Sequence, residues 1–167
     1  ALKHPLTRTL AESGWRLALP DLRAIGELKP PGDGIRNAPD HNSAEHGVWL
    51  GRPLLGQWAY DARCVLEWLA IQPNRDAART SIVGLGQAGI VAMVAAALFP
   101  DRYTSLVAVD APATLVTAKP YPDSTRMGLL APGLLTAGDV PHFAALSAPK
   151  RLRIVEARDA DGAAMNE

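Results

Sequence analysis

The stretch Gly84-Leu85-Gly86-Gln87-Ala88-Gly89 constrains this chain more than any other. It stands between a short apolar strand, Ser81 to Val83, and a run from Ile90 to Leu98 that is apolar on every side and rich in alanine. A helix apolar all round must be buried, so this pair of elements belongs at the centre of whatever core the chain builds. A glycine-rich turn from strand to helix also aims backbone N–H groups along the helix axis, the geometry that favours developing or full negative charge. Ser105 to Val109 reads as a second strand. Its apolar residues are continuous rather than alternating, as a parallel sheet covered on both faces requires, and Asp110 ends it.

The flanking segments extend the same pattern. Leu6 to Ser13 reads as a short helix closed by Gly14, since a residue without Cβ tolerates the left-handed turn that ends helices. Trp15, Leu17 and Leu19 alternate with Arg16 and Ala18 as in a strand, and Pro20 stops that strand because it has no N–H to donate. Residues 24–56 are rich in Gly, Pro, Asn and Asp, the composition of a long connecting loop. Gln57 to Gln72 carries Trp58, Ala62, Val65, Leu66 and Leu69 on one stripe, a clear amphipathic helix, which Pro73 and Asn74 end. A second long connection, residues 111–139, precedes a short helix from Val140 to Ser147 and a final strand from Leu152 to Ala157. The order βαβαβαβ implies an α/β, doubly wound fold: one domain over residues 1–167, three layers αβα, and a mostly parallel sheet of about four strands. The last strand has nothing after it to cover its outer edge, and an uncovered edge is a template for pairing. A partner chain or another copy is expected there.

Composition narrows the function. The chain has 48% hydrophobic residues, enough for a core, and its 17 Lys and Arg balance 17 Asp and Glu. That balance leaves no electrostatic footprint for gathering phosphates, so nucleic acid is not an expected partner. No uninterrupted apolar segment is long enough to cross a membrane and no leader peptide is visible. The chain does not begin with Met, which fits a trimmed or partial chain. Cys64, the single cysteine, falls within the amphipathic helix and is expected to behave as a small buried hydrophobe.

Two mechanisms use the glycine-rich turn. Gly84, Gly86 and Gly89 match the Gly-x-Gly-x-x-Gly dinucleotide fingerprint, with Asp110 placed to meet a ribose. The same segment also matches a nucleophile elbow, Gly-x-Ser-x-Gly, with Gly86 at the nucleophile position and Ala88 in place of the closing glycine. About eighty residues precede the turn, whereas Rossmann domains tend to begin at the fingerprint strand. Those residues favour the elbow. Leu19-Pro20-Asp21-Leu22-Arg23-Ala24-Ile25-Gly26-Glu27 looks like an Asp-x-Arg-Gly-x-Gly-Glu turn with Ala24 at its first glycine, and Leu50-Gly51-Arg52-Pro53-Leu54-Leu55-Gly56-Gln57 looks like the entry to the helix before the elbow. Downstream stand Gly128-Leu129-Leu130-Ala131-Pro132 and Ala144-Ala145-Leu146-Ser147-Ala148-Pro149-Lys150-Arg151-Leu152-Arg153-Ile154. In this order the motifs resemble the bacterial acetyl-xylan-esterase-like α/β-hydrolases, over nearly the whole chain.

The resemblance implies a partial α/β-hydrolase fold and a site at the elbow that needs no cofactor. Gln87 would give one oxyanion N–H, and Asp159 or Asp161 would stand where the family places its acid. Acyl transfer needs a nucleophile and a His to take its proton. Gly86 has no hydroxyl, and His4, His41, His46 and His142 all precede the position of the family's His. The expectation is a non-catalytic domain that binds a carbohydrate or small ester. Two alternatives stay open: an esterase using another nucleophile, with Ser43, Ser124 or Ser147 as candidates, and the dinucleotide-binding domain. The three serines otherwise read as turn and cap residues. Asp40, His41, Glu45 and His46 put four potential metal ligands in seven residues without a recognised spacing, and read as a solvated polar loop. Trp58 and Trp68 stand at spacings that suit core packing, while Trp49 is the one candidate for a carbohydrate platform.

Overall fold

Among the residues described by the computed structural model, 4–73, 76 and 79–165, three parallel strands form one sheet in the order β1 (Ser81–Leu85), β2 (Ser105–Val109), β3 (Arg151–Val155). The register is even: Ser81 lies opposite Ser105, which lies opposite Arg151, and the ladders run without a bulge to Leu85, Val109 and Val155. Parallel strands need crossover connections. The connection from β1 to β2 is the helix α4 (Ala88–Leu98), followed by a 3-10 turn at Pro100–Arg102. The chain is thus mixed α/β, with a small all-parallel sheet flanked by helices.

α4 is the hub. It packs on β1 and β2, and α3 (Leu54–Ala70) and α6 (Val140–Ala145) pack on it. Every residue from Gly89 to Ala96 is buried, as its all-round apolar sequence requires. Ile90 and Met93, with Leu106 and Ala108 from the central strand, join Trp58 and Leu55 of α3 and Val140 of α6 in one cluster. The helix lies unusually close to the sheet: a Cβ on Gly84 would stand 2.5 Å from Gly89 Cα, and one on Gly89 would stand 2.4 Å from Ala111 Cβ.

Several expectations need correction. Three strands form rather than four, because Trp15 to Leu19 acquires no ladder. That segment is tied instead by Arg16, whose Nη1 donates to Pro73 O at 2.9 Å, and by the Arg79 guanidinium over the Trp15 ring. Residues 24–56 are not one loop: they contain a 3-10 turn at Gly26–Leu28 and a helix α2, His41–Trp49. α2 lacks strong periodicity and takes its first hydrogen bonds from a distant residue, with Asp33 Oδ1 accepting from the Ser43 amide at 2.7 Å and its hydroxyl at 2.8 Å. Residues 111–139 likewise hold a 3-10 turn at Met127–Leu129 and a short helix α5, Leu134–Ala137. The buried stripe of α3 begins three residues earlier than its sequence suggests and runs through Leu55, Trp58, Ala59 and Leu66. Cys64 and Trp68 therefore face solvent rather than the core. Asn74, expected to end this helix, lies outside the described residues.

The first helix α1 (Pro5–Glu12) forms where expected, and Gly14 takes φ +81° behind it. β1 and β3 are both edge strands; among the described residues no strand pairs with their outer sides. No helix among these residues is long and apolar enough to cross a membrane.

The close approach of α4 predicts opposite outcomes for two Gly→Ala changes. Gly89→Ala forces its methyl into Ala111 and should lower the free energy of unfolding in urea by about 1–3 kcal/mol. Gly56→Ala, in α3 with open space around the added carbon, should raise it by up to about 1 kcal/mol. Equal stability of the two variants would contradict this account of the packing.

Candidate functional site

At the carboxyl end of the sheet, all three strands turn in the same way. The first residue after each strand is left-handed: Gly86 at φ +56°, Asp110 at +58° and Glu156 at +53°. The turning amides continue the ladder one step further, Gly86 N–H donating to Val109 O at 2.8 Å and Asp110 N–H to Val155 O at 2.9 Å. Glycine adopts this conformation freely. Asp110 and Glu156 are strained there, and such strain clusters at functional edges. Ligands of open α/β sheets bind at this carboxyl end.

The sequence-predicted residues are only partly brought together. Gly86 and Gln87 form the turn into α4, and the first bond of that turn runs from Gly89 N–H to Gly86 O at 2.9 Å. The amides of Gln87 and Ala88 precede it and have no acceptor within the helix. The Gln87 side chain has a different task. Its Nε2 donates to Ser124 O at 3.0 Å and its Oε1 accepts from Arg126 N–H at 2.9 Å, which stitches residues 124–126 beside the turn. At Gly86 itself the space is open: no heavy atom lies within 4 Å of where a Cβ would project, beyond its chain neighbours.

Asp159 and Asp161 follow β3, with β2 between them and the turn at Gly86, a lateral separation of about 10 Å for two strand spacings. Both are engaged. Asp159 Oδ1 accepts from Ala163 N–H at 2.8 Å and holds its own loop. Asp161 forms an ion pair with Lys119. The neighbouring Asp159 side chain and then the Lys119 ammonium hold the Asp161 carboxyl down from 3.8 to about 2. Asp110 is paired with Arg158, whose Nη1 also donates to Gly162 O at 3.1 Å. The acids along this edge are therefore structural anchors for the segments that roof it.

Lys119, Arg126 and Arg158 were not singled out in the sequence, and no motif marks them. Arg126 Nη1 is buried and has no hydrogen-bond partner among the described residues. Deeper in the roof, Asp139 ties Thr114 and the Leu115 amide to the start of α6. Burial opposes its ionisation, but the Thr114 hydroxyl, the amides of Leu115 and Val140 and the nearby His142 keep its carboxyl below the ordinary range. His142 is committed to this box, its Nδ1 accepting from Asp139 N–H at 3.0 Å.

The remaining candidates fall elsewhere. Ser43 donates to Asp33, and Ser147, 1% exposed, donates to Ala144 O at 2.6 Å, so both do cap and turn work. Ser124 alone of the three stands beside the turn, through its main chain. The segment expected to be a solvated polar loop is helix α2, and Asp40 is fully buried there, its two oxygens accepting from Met127 N–H at 2.9 Å and Gly128 N–H at 3.0 Å. His41 Nδ1 meets Asn42 Oδ1. Among the described residues no three His, Cys, Asp or Glu side chains are grouped to hold a metal. Compared with family models, with curated proteins and with solved structures, the chain matches none.

The depressed Asp161 fixes a pH window. Its folded pKa lies below its ordinary value, so its contribution to stability is complete above about pH 4 and is lost as the pH falls toward 2. A thermal midpoint that declines between these values in the parent protein should decline less in Asp161→Asn and in Lys119→Met. Identical acid profiles for all three proteins would show that this pair does not anchor the loop.

Proposed function

We propose that this chain is a partial α/β-hydrolase-like domain, resembling the acetyl-xylan esterases, whose elbow has lost its nucleophile and which binds a carbohydrate or small ester without hydrolysing it. The observation that carries the reading is the turn at Gly86: left-handed, at the carboxyl end of β1, opening a buried helix, with empty space where a nucleophile's side chain would project. The three-layer αβα arrangement belongs to the same proposal.

Local geometry around the upstream motif supports it. Ala24, which stands where the Asp-x-Arg-Gly-x-Gly-Glu turn has glycine, is left-handed at φ +61° and 5% exposed. A non-glycine residue adopts this conformation at a cost of about 1–2 kcal/mol, so the backbone keeps a shape that glycine would fit better. Arg23 of that turn grips α3 through Asp61 and Gln57, its Nε at 2.9 Å from Asp61 Oδ2 and its Nη1 at 2.9 Å from Gln57 Oε1. Trp58 Nε1 donates to Arg23 O at 2.7 Å. The turn is thus fixed to the helix that packs on α4.

The dinucleotide reading shares the glycine turn and the strand order, and the close approach at Gly84 and Gly89 serves either. It needs Asp110 to accept from a ribose, yet Asp110 Oδ1 already accepts from Arg158. An esterase using Ser124 would need a base beside it, yet His4 bonds the Leu6 amide, His41 meets Asn42, His142 accepts from Asp139 N–H and His46 lies against the Trp49 ring.

A chromogenic acetate ester should show no turnover above the buffer rate with the full chain, and Gly86→Ser should not restore it, because a hydroxyl alone lacks the base that takes its proton. Turnover abolished by a serine-directed inhibitor would overturn the proposal. NAD(H) titrated against the intrinsic tryptophan signal should give no saturable change; saturation would favour the dinucleotide reading instead.

A further inference from the structure

Between α2 and residues 127–132 lies an open cavity of about 270 Å³ that shares no residue with the glycine turn. It is at the small end of ligand pockets. Its floor is fixed by two buried contacts. The Asp40 carboxylate holds the amides of Met127 and Gly128, and Gly128 is pressed so closely on α3 that a Cβ there would stand 2.6 Å from Trp58 Cη2 and 2.8 Å from Leu54 Cβ. A site built on such contacts is formed before any ligand arrives, which removes much of the ordering cost of binding.

The lining has one composition rule. Val48, Met127, Leu130 and Pro132 present hydrocarbon, Trp49 stands at the rim 71% exposed, and Glu45 is the one ionisable side chain that lines the cavity. Glu45 makes no ion pair among the described residues. A carboxylate placed against apolar walls favours a positive occupant, because a neutral apolar one strips its water and returns nothing. An aromatic ring at the rim attracts the same charge through its face. A small inorganic cation would gain nothing from the hydrocarbon walls, and an anion would be repelled by Glu45. Only a cation clothed in carbon uses all three surfaces.

We propose that this groove binds a small alkylated ammonium ion free in solution, its charge held by Glu45 and Trp49 and its methyl or methylene groups against Val48, Met127 and Pro132. The test is calorimetric titration of the full chain with choline, and in parallel with 3,3-dimethylbutan-1-ol, which has the same shape with carbon in place of the charged nitrogen. Choline should bind saturably and the neutral alcohol about tenfold more weakly or worse, as loss of a cation–π and charge contact implies. Glu45→Gln and Trp49→Leu should each weaken choline several-fold, while neither alters the melting temperature appreciably, since Trp49 is exposed and the half-buried Glu45 makes no ion pair among the described residues. Absence of choline binding, or equal binding of the alcohol, would overturn the proposal without any variant having to fold. So would undiminished choline affinity in Glu45→Gln, and so would tighter binding of a neutral xylo-oligosaccharide that Trp49→Leu abolishes, which would make the groove a sugar platform.

Discussion

Helix α4 can lie against the sheet only because Gly84 and Gly89 have no side chains. With either Cβ present, atoms would approach to within about 2.5 Å, and the helix would have to lift away from β1 and β2. Much of the described structure rests on that contact. α3 and α6 pack on α4, and α3 in turn holds the Arg23 turn and the floor of the groove at Gly128. The interior is correspondingly rich in alanine and short of large side chains on α4, so its cohesion comes from closeness of backbones as much as from apolar area. Packing of this kind tolerates little added volume.

The residues that hold the surrounding loops are mostly acids whose oxygens accept from main-chain amides. Asp33 serves α2, Asp40 serves the 3-10 turn at Met127–Leu129, Asp139 ties Thr114 and Leu115 to α6, and Asp159 closes its own loop. Each joins segments that are distant in sequence or have no regular structure to satisfy them. A buried amide without an acceptor is costly, and a carboxylate can satisfy two. The abundance of Asp in segments that read as polar loops is therefore architectural, and it commits Asp40, one of the four potential ligands around α2, to main-chain amides.

This explains what was legible in the sequence. The elements around the glycine turn were readable because their signal is local: a continuous apolar strand, a turn that only glycine fits, and a helix with no polar face. α2 was hidden because its start is capped by Asp33, eight residues before its first turn, and because Gly47 and two histidines blur its period. The Trp15 to Leu19 segment has the alternation of a strand, yet a strand exists only with a partner, and alternation cannot say whether one is present. Cys64 and Trp68 face outward for a smaller reason: the buried stripe of α3 is carried by Leu55, Trp58, Ala59 and Leu66, and at 3.6 residues per turn both residues fall on the opposite side of the helix. The acids Asp159 and Asp161 lie after β3 as expected, but their engagement by Ala163 and Lys119 depends on loop geometry that no spacing encodes.

The three strand ends share one backbone conformation but differ in strain. Asp110 and Glu156 hold left-handed conformations with full side chains, a strain of about 1–2 kcal/mol each for an L-residue, and Asp110 is compensated by its pair with Arg158. Gly86 holds the same conformation without strain. A side chain in that position would carry the penalty with no neighbour within 4 Å to offset it. Replacing such a residue by glycine relaxes the backbone and leaves the close packing of Gly84 on Gly89 untouched. Glycine is therefore the stable occupant of this turn, in keeping with the general opposition between backbone strain and stability.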